Sequence, residues 1–379
     1  MGRTLSRAIN GALALTALAA AAHAGHAQTL TDKLAIHGYL TQGYAISDSH
    51  QVVGIPTHGT FEYRRAALLI RFKGSPNDAF VVQLANRELG DSPIDDFTPE
   101  VQMDWAFYER RFGSKTTLRV GKEPIPTGIY NEIRYVGTLL PFYRAPLGFY
   151  QEGSYVSETL NGIVLARQIT PASRWMLSGS LFLGSFNYLQ AGTALLPGAT
   201  APTYAVTRAT ARNVLGAQFW LQTPVTGLRA GLGGERRDDY GNFFGSTPST
   251  HASKDWWASL DGSFSRLITR AEYRQFSFND GSISVKTYYG QIGYRVLDAL
   301  TINVQRDELD VRFVTPTGAL KIPYNRDYAV GVNYKFAPNI IAKFEVHDSD
   351  GLTAEEPLNV LGGKALVNDY LIASLSVSF

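Results

Sequence analysis

Apolar and polar residues alternate one by one through much of this chain, most cleanly in segments of roughly ten residues. In 101–110, Val101, Met103, Trp105 and Phe107 share one parity, against Gln102, Asp104, Ala106 and Arg110 on the other. In 328–336, Tyr328, Val330, Val332, Tyr334 and Phe336 oppose Ala329, Gly331, Asn333 and Lys335. The closing stretch YLIASLSVSF sets Leu371, Ala373, Leu375, Val377 and Phe379 against Ser374, Ser376 and Ser378. Strand side chains alternate faces, so each segment predicts a strand with one apolar and one polar side. An apolar row that runs out to a terminal phenylalanine gains a soluble protein little. Contact of that row with lipid explains it.

Sixteen such segments can be marked: 34–46, 61–73, 77–89, 100–112, 115–123, 155–168, 173–184, 211–223, 226–240, 254–264, 266–279, 285–296, 299–313, 327–337, 339–349 and 367–379. Alternation is poorest in the sixth and the ninth. The connections fall into two alternating kinds. Short turns lie near 74–76, 113–114, 171–172, 224–225, 265, 297–298 and 338; longer loops cover 47–60, 90–99, 124–154, 185–210, 241–253, 280–284, 314–326 and 350–366. An even strand number with short turns on one side and long loops on the other is the pattern of a transmembrane β-barrel. The predicted fold class is therefore all-β, a sixteen-stranded antiparallel barrel with both chain ends on the short-turn side. A soluble sandwich also alternates, but its strands are shorter, and no blade-length repeat suggests a propeller.

Composition narrows the setting. Arg3 and Arg7 precede an apolar run from Gly11 to Ala22, and small residues flank His23 and His26. This is the layout of a secretory signal, so 1–27 is predicted to be removed and 28–379 to form the barrel. Beyond it no apolar run reaches the ~18 residues of a spanning helix. Cysteine is absent, which leaves neither a disulfide scaffold nor thiol chemistry. The formal charge of +2 argues against nucleic acid as a partner. Tyr (20), Phe (20) and Gly (36) are plentiful, as a β-rich exported chain would have them.

The export signal, the sixteen alternating strands, the dominant loop after the fifth and the final aromatic together resemble the outer-membrane porin superfamily. Gly121-Lys122-Glu123-Pro124-Ile125-Pro126-Thr127-Gly128, followed by Pro141-Phe142, is similar to the strand-to-loop passage of general and phosphate-selective-like porins. The resemblance implies a homotrimer in the Gram-negative outer membrane, in contact with lipid and lipopolysaccharide, with a long loop folded into the lumen and no cofactor. It also implies that Phe379 is the signal read by the barrel-assembly machinery.

Eight strands make a barrel filled by side chains, whereas sixteen leave an aqueous channel, so strand number bears on function. On the predicted lumen parity basic residues, Arg167, Arg270 and Lys343 among them, outnumber acids. Rings of one charge set a pore's preference for the opposite ion. The expected function is passive diffusion of small hydrophilic solutes with mild preference for anions. The candidate channel-lining residues are Arg71, Arg87, Arg110 and Arg119 on early strands, with Lys122, Arg134 and Arg144 in the long loop. Glu123 and Glu132 are the candidate constriction acids. Phosphate selectivity is the alternative expectation.

Catalysis finds little support in sequence. The local pairs His347 with Asp348 and His251 with Asp255 sit in no nucleophile motif, and no HExxH, GxSxG or calcium-loop pattern is present. Asp348-Ser349-Asp350 could at most touch a divalent ion bridging lipopolysaccharide. An adhesin or receptor acting through outer loops would leave no compositional mark.

Overall fold

The alternating segments close on one another. The computed structural model describes residues 33–151, 158–169, 174–194, 203–243, 247–315, 318–351 and 366–379, so the predicted export segment lies outside the described residues. The strands are β1 (Leu34–Ser47), β2 (Thr60–Lys73), β3 (Asp78–Leu89), β4 (Gln102–Phe112), β5 (Thr116–Pro124), β6 (Thr159–Ile169), β7 (Met176–Ala194), β8 (Thr203–Gln222), β9 (Leu228–Gly241), β10 (Ser249–Phe264), β11 (Leu267–Phe278), β12 (Ile283–Arg295), β13 (Leu300–Thr315), β14 (Gly318–Ala337), β15 (Ile340–Gly351) and β16 (Leu366–Ser378). Each pairs antiparallel with its sequence neighbour, and β1 pairs β16 from Tyr39 opposite Ser378 to Ser47 opposite Tyr370. Closure leaves no unpaired strand edge, which backbone groups in hydrocarbon require.

The two faces carry the predicted polarity. Outward positions such as Leu181, Leu232, Val330 and Phe344 are exposed and apolar. Aromatics gather at the ends of the rows: Phe80 with Tyr108 and Tyr334 with Phe336 on the short-turn side, Trp256 with Tyr273 and Tyr44 with Phe61 farther up. This is the girdle that suits the borders of a hydrocarbon layer. Inward positions are buried and largely polar, including Asp104, Glu109, Arg274, Asp307 and Lys343.

Three departures from the sequence reading have physical causes. First, the segments 185–210 and 314–326, read as loops, are mostly strand: β7 and β8 pair out to Ala194 opposite Thr203, and β13 and β14 out to Thr315 opposite Gly318. Polar residues fall on both parities in these stretches, as at Asn187, Gln190, Thr207, Arg208, Lys321 and Arg326, so period-two alternation does not mark the strand there. Second, β4 carries a bulge opposite Gln83 and Leu84, between Met103 and Trp105. It adds one residue and reverses parity beyond it, so Phe107 and Glu109 are buried and Arg110 joins Tyr108 and Phe112 on the outside. Third, β6 presents Leu160 and Val164 inward, both fully or nearly buried, and Arg167 outward. Its inner face is apolar because the long loop packs on it, which also accounts for its weak alternation.

Candidate functional site in the barrel lumen

After β5, residues 125–151 run inside the barrel and cross from wall to wall. It leaves β5 through Pro124 and Pro126, which cannot continue a ladder. It then turns at Gly128, whose φ is 62°. A Cβ there would lie 2.5 Å from the Tyr150 hydroxyl and 2.7 Å from Glu272 Oε1, so only glycine passes. Beyond it, each stretch of loop is fastened to a different strand. The Gly128 amide donates to Gln218 on β8 (2.7 Å) and the Ile129 amide to Glu272 on β11 (3.0 Å). Tyr130 donates to Gln291 on β12 and accepts from Arg270 (2.8 Å). Asn333 on β14 donates to the Pro141 carbonyl (3.0 Å), and Lys343 on β15 to that of Phe142 (2.9 Å). The Tyr143 amide donates to Glu345 (2.9 Å), while Arg65 on β2 donates to the Tyr143 carbonyl (2.7 Å). A single helical turn, α1 (Leu147–Tyr150), returns the chain, with the Gly148 amide on Asp307 of β13 (2.7 Å).

Apolar loop residues meet apolar patches of the wall. Ile125, Tyr130, Leu140, Phe149 and Tyr150 share one core with Leu160, Val164, Phe182, Trp257 and Tyr289. Tyr143 joins a second core with Tyr63, Ile372 and the first long loop's Val52 and Ile55. Burial pushes the hydroxyls of Tyr130 and Tyr150 well above the usual tyrosine range, and the neighbouring Glu272 reinforces this at Tyr150. Both therefore remain protonated donors, and Tyr150 donates to Glu272.

Charge concentrates where the loop faces β2 to β5. Glu109 accepts from Arg71 (2.6 Å) and Arg119 (3.3 Å), and Arg119 lies 3.8 Å from Glu132 on the loop. Arg71 (24 % exposed), Arg119 (29 %) and Glu132 (53 %) thus keep water contact. A step away, Arg87 pairs with Asp104 and approaches Glu158 (3.5 Å), and Glu158 also approaches Arg134 (3.6 Å). The Arg87 guanidinium stacks 3.8 Å over the ring of the loop's Tyr135.

Of the residues proposed from sequence, Arg71, Arg87, Arg119, Arg134 and Glu132 come together in this cluster. Arg144 is inward and buried but belongs to the opposite core, donating to the Val53 carbonyl at 3.3 Å beside Tyr63. Glu123 is fully buried at the root of the loop and does not border the open space. Arg110 and Lys122 are corrections. Arg110 pairs outside the barrel with Asp78 (2.7 Å), and Lys122 donates outside to the Met103 carbonyl (2.6 Å). The bulge in β4 moved the first; strand parity continuing to residue 124 turned the second outward. Arg65, Glu109 and Glu158 were missed. Arg65 shares the parity of Arg71 and was readable; Glu109 was hidden by the same bulge.

The histidine pairs separate. His347 faces inward, 2.9 Å from Asp327, with its ring stacked on Tyr370 at 4.3 Å, whereas Asp348 falls on the other parity of β15. His251 meets Ser249 (2.8 Å) and the ring of Phe278, while Asp255 is held by Arg274 (2.5 Å).

Solved structures share this architecture. OmpT of Vibrio cholerae in its trimer form aligns over 91 % of this chain and 99 % of its own, with TM-score 0.57 and 11 % identity. The OmpF of Salmonella typhi in complex with daunomycin aligns over 91 % and 97 %, with TM-score 0.60 and 9 % identity. The outer-membrane channel DcaP of Acinetobacter baumannii aligns over 91 % and 97 %, with TM-score 0.56 and 10 % identity. No family model and no curated protein sequence matches the chain. The chain shares with these outer-membrane proteins the fold of a closed, sixteen-stranded antiparallel barrel.

Proposed function

We propose that this chain is a porin that lets small hydrophilic solutes diffuse through a passage narrowed by its own fifth-to-sixth-strand loop. The observation that carries the reading is the loop's path: it is fastened to β2, β8 and β11 to β15 from within. A lid resting on the outer rim would not reach those partners. The passage left beside β2 to β5 is lined by Arg71 and Arg119 facing Glu132. Guanidinium groups suit carboxylate and phosphate oxygens, which supports a mild anion preference. Nearly as many acids stand beside them, which tells against strict phosphate selectivity. We read residues 1–27 as an export signal and 28–379 as the mature barrel. We assign it no catalytic role or cofactor, and expect a homotrimer that meets lipid, lipopolysaccharide and the barrel-assembly machinery. Planar-bilayer recording tests this: stepwise conductance with a reversal potential of anion-selective sign is expected. A folded barrel that never conducts would overturn it.

A further inference from the structure

Beneath the loop, toward the short-turn end of β11 to β15, lies a cavity of about 230 Å³. Its lining is both cationic and aliphatic. Lys335 and Arg295 border it, and among the described residues neither is paired with a carboxylate, while Arg295 donates to the Ser265 carbonyl at 3.4 Å. Arg270 also borders it but is taken up by Asp261 (3.1 Å) and Tyr130, so it is not the recognising charge. Between the cations Asn303 is 4 % exposed, and its Nδ2 has no hydrogen-bond partner. A buried donor left unmatched is costly, and an acceptor in the cavity would relieve it. Aliphatic residues flank these cations: Ile341 on β15 stands opposite Lys335, Ile268 on β11 lies at the far edge beyond Arg295, and Leu139 at the loop's turn is 53 % exposed. The cavity has no aromatic side chain.

Resting on the porin reading, we infer that this cavity is a solute subsite for short branched aliphatic monocarboxylates. The carboxylate sits between Lys335 and Arg295 and accepts from Asn303. The hydrocarbon body lies against Ile341, beside Lys335, and Leu139. Pockets for drug-sized ligands start at about 300 Å³, so this volume calls for a smaller solute. One negative charge suits these two cations, which have no carboxylate partner among the described residues, with Asp298 at the edge opposing a second.

The test is titration calorimetry on the full folded barrel in detergent, with isovalerate, acetate, isoamyl alcohol and inorganic phosphate, beside bilayer conductance of the same preparation. Isovalerate is expected to bind at least about tenfold more tightly than acetate, from the buried methyl and methylene groups. It should also exceed isoamyl alcohol and phosphate. Lys335→Gln with Arg295→Gln should weaken isovalerate at least about tenfold, since hydrogen bonds to charged groups are the strong ones. Ile341→Ser should bring isovalerate toward acetate, and the outward-facing Arg110→Gln should change nothing. Equal affinity for acetate and isovalerate, tighter phosphate binding, or indifference to the double substitution each overturns the inference. Conductance without isovalerate binding overturns the subsite and leaves the channel; binding without conductance overturns the channel and leaves the site.

Discussion

The ring of Phe379 lies on Gly38, in the space where any larger residue would place its side chain. A Cβ on Gly38 would stand 2.5 Å from Phe379 Cζ, and the two residues exchange backbone hydrogen bonds of 3.0 Å in both directions. The last residue thus completes the seam between β1 and β16. Gly38→Val is expected to lower the folded fraction sharply, read as the heat-modifiable band on electrophoresis. Phe379→Ala should lower it less, and the double variant should recover part of the loss in Gly38→Val. Equal defects in all three would separate the ring from the seam.

Selectivity should follow the corrected parity. Replacing Arg71 and Arg119 by glutamine removes two of the three cations beside Glu109, leaving Arg111 at 3.3 Å, and takes from Glu132 the cation that faces it. The anion-to-cation permeability ratio should fall several-fold, by on the order of the enrichment a single-sign wall provides. Arg110→Gln, on the lipid side, should leave the reversal potential where it was. A ratio that moves with Arg110 and not with Arg71 and Arg119 would reverse the assignment.

These residues also mark how far the sequence could be read. Strand number, closure and turn asymmetry follow from period-two alternation repeated sixteen times, and a local slip cannot erase so many repeats. Side assignment is more fragile. Asp104 and Trp105 both lie in the bulge opposite Gln83, and that one extra residue exchanged Glu109 for Arg110 in the lumen. The interior loop was legible from its apolar residues, since Leu140 and Phe142 need a surface to cover. Its fastening points were not, because Glu345 and Lys343 acquire their roles only through a loop about two hundred residues away in sequence.

Holding the loop is the work of buried charges on β15. Lys343 donates to the Phe142 carbonyl, and Glu345 accepts the Tyr143 amide through both oxygens at 2.9 and 3.1 Å. Glu345→Leu leaves that amide without its acceptor, while the neighbouring polypeptide stays tethered through Lys343, Asn333 and Arg65. Barrel assembly should survive, but single-channel recordings should show frequent partial closures or larger mean conductance as 141–143 moves. Quiet traces at the original level would place the restraint in the apolar core around Tyr143 instead.

A second buried charge group stabilises the upper barrel without touching the passage cluster. Arg237 on β9 donates to Glu235 (2.6 Å) and to Asp239 (3.1 Å), all three nearly excluded from water, with its guanidinium 4.9 Å from the Phe276 ring centre and 5.2 Å from that of Phe186. Asp239 has another donor in Ser253 (2.6 Å), so the loss of Arg237 would fall hardest on Glu235. Removing one partner of a buried ion pair costs roughly 3–5 kcal/mol because the other charge stays desolvated. Arg237→Met, which keeps the stem and drops the charge, should therefore lower the denaturant midpoint of the folded barrel markedly. Adding Glu235→Gln should restore part of it, since the amide carries no charge to strand. If Arg237→Met unfolds at the parent's midpoint, the group contributes no net stability and the aromatic packing of Phe186 and Phe276 holds this wall alone.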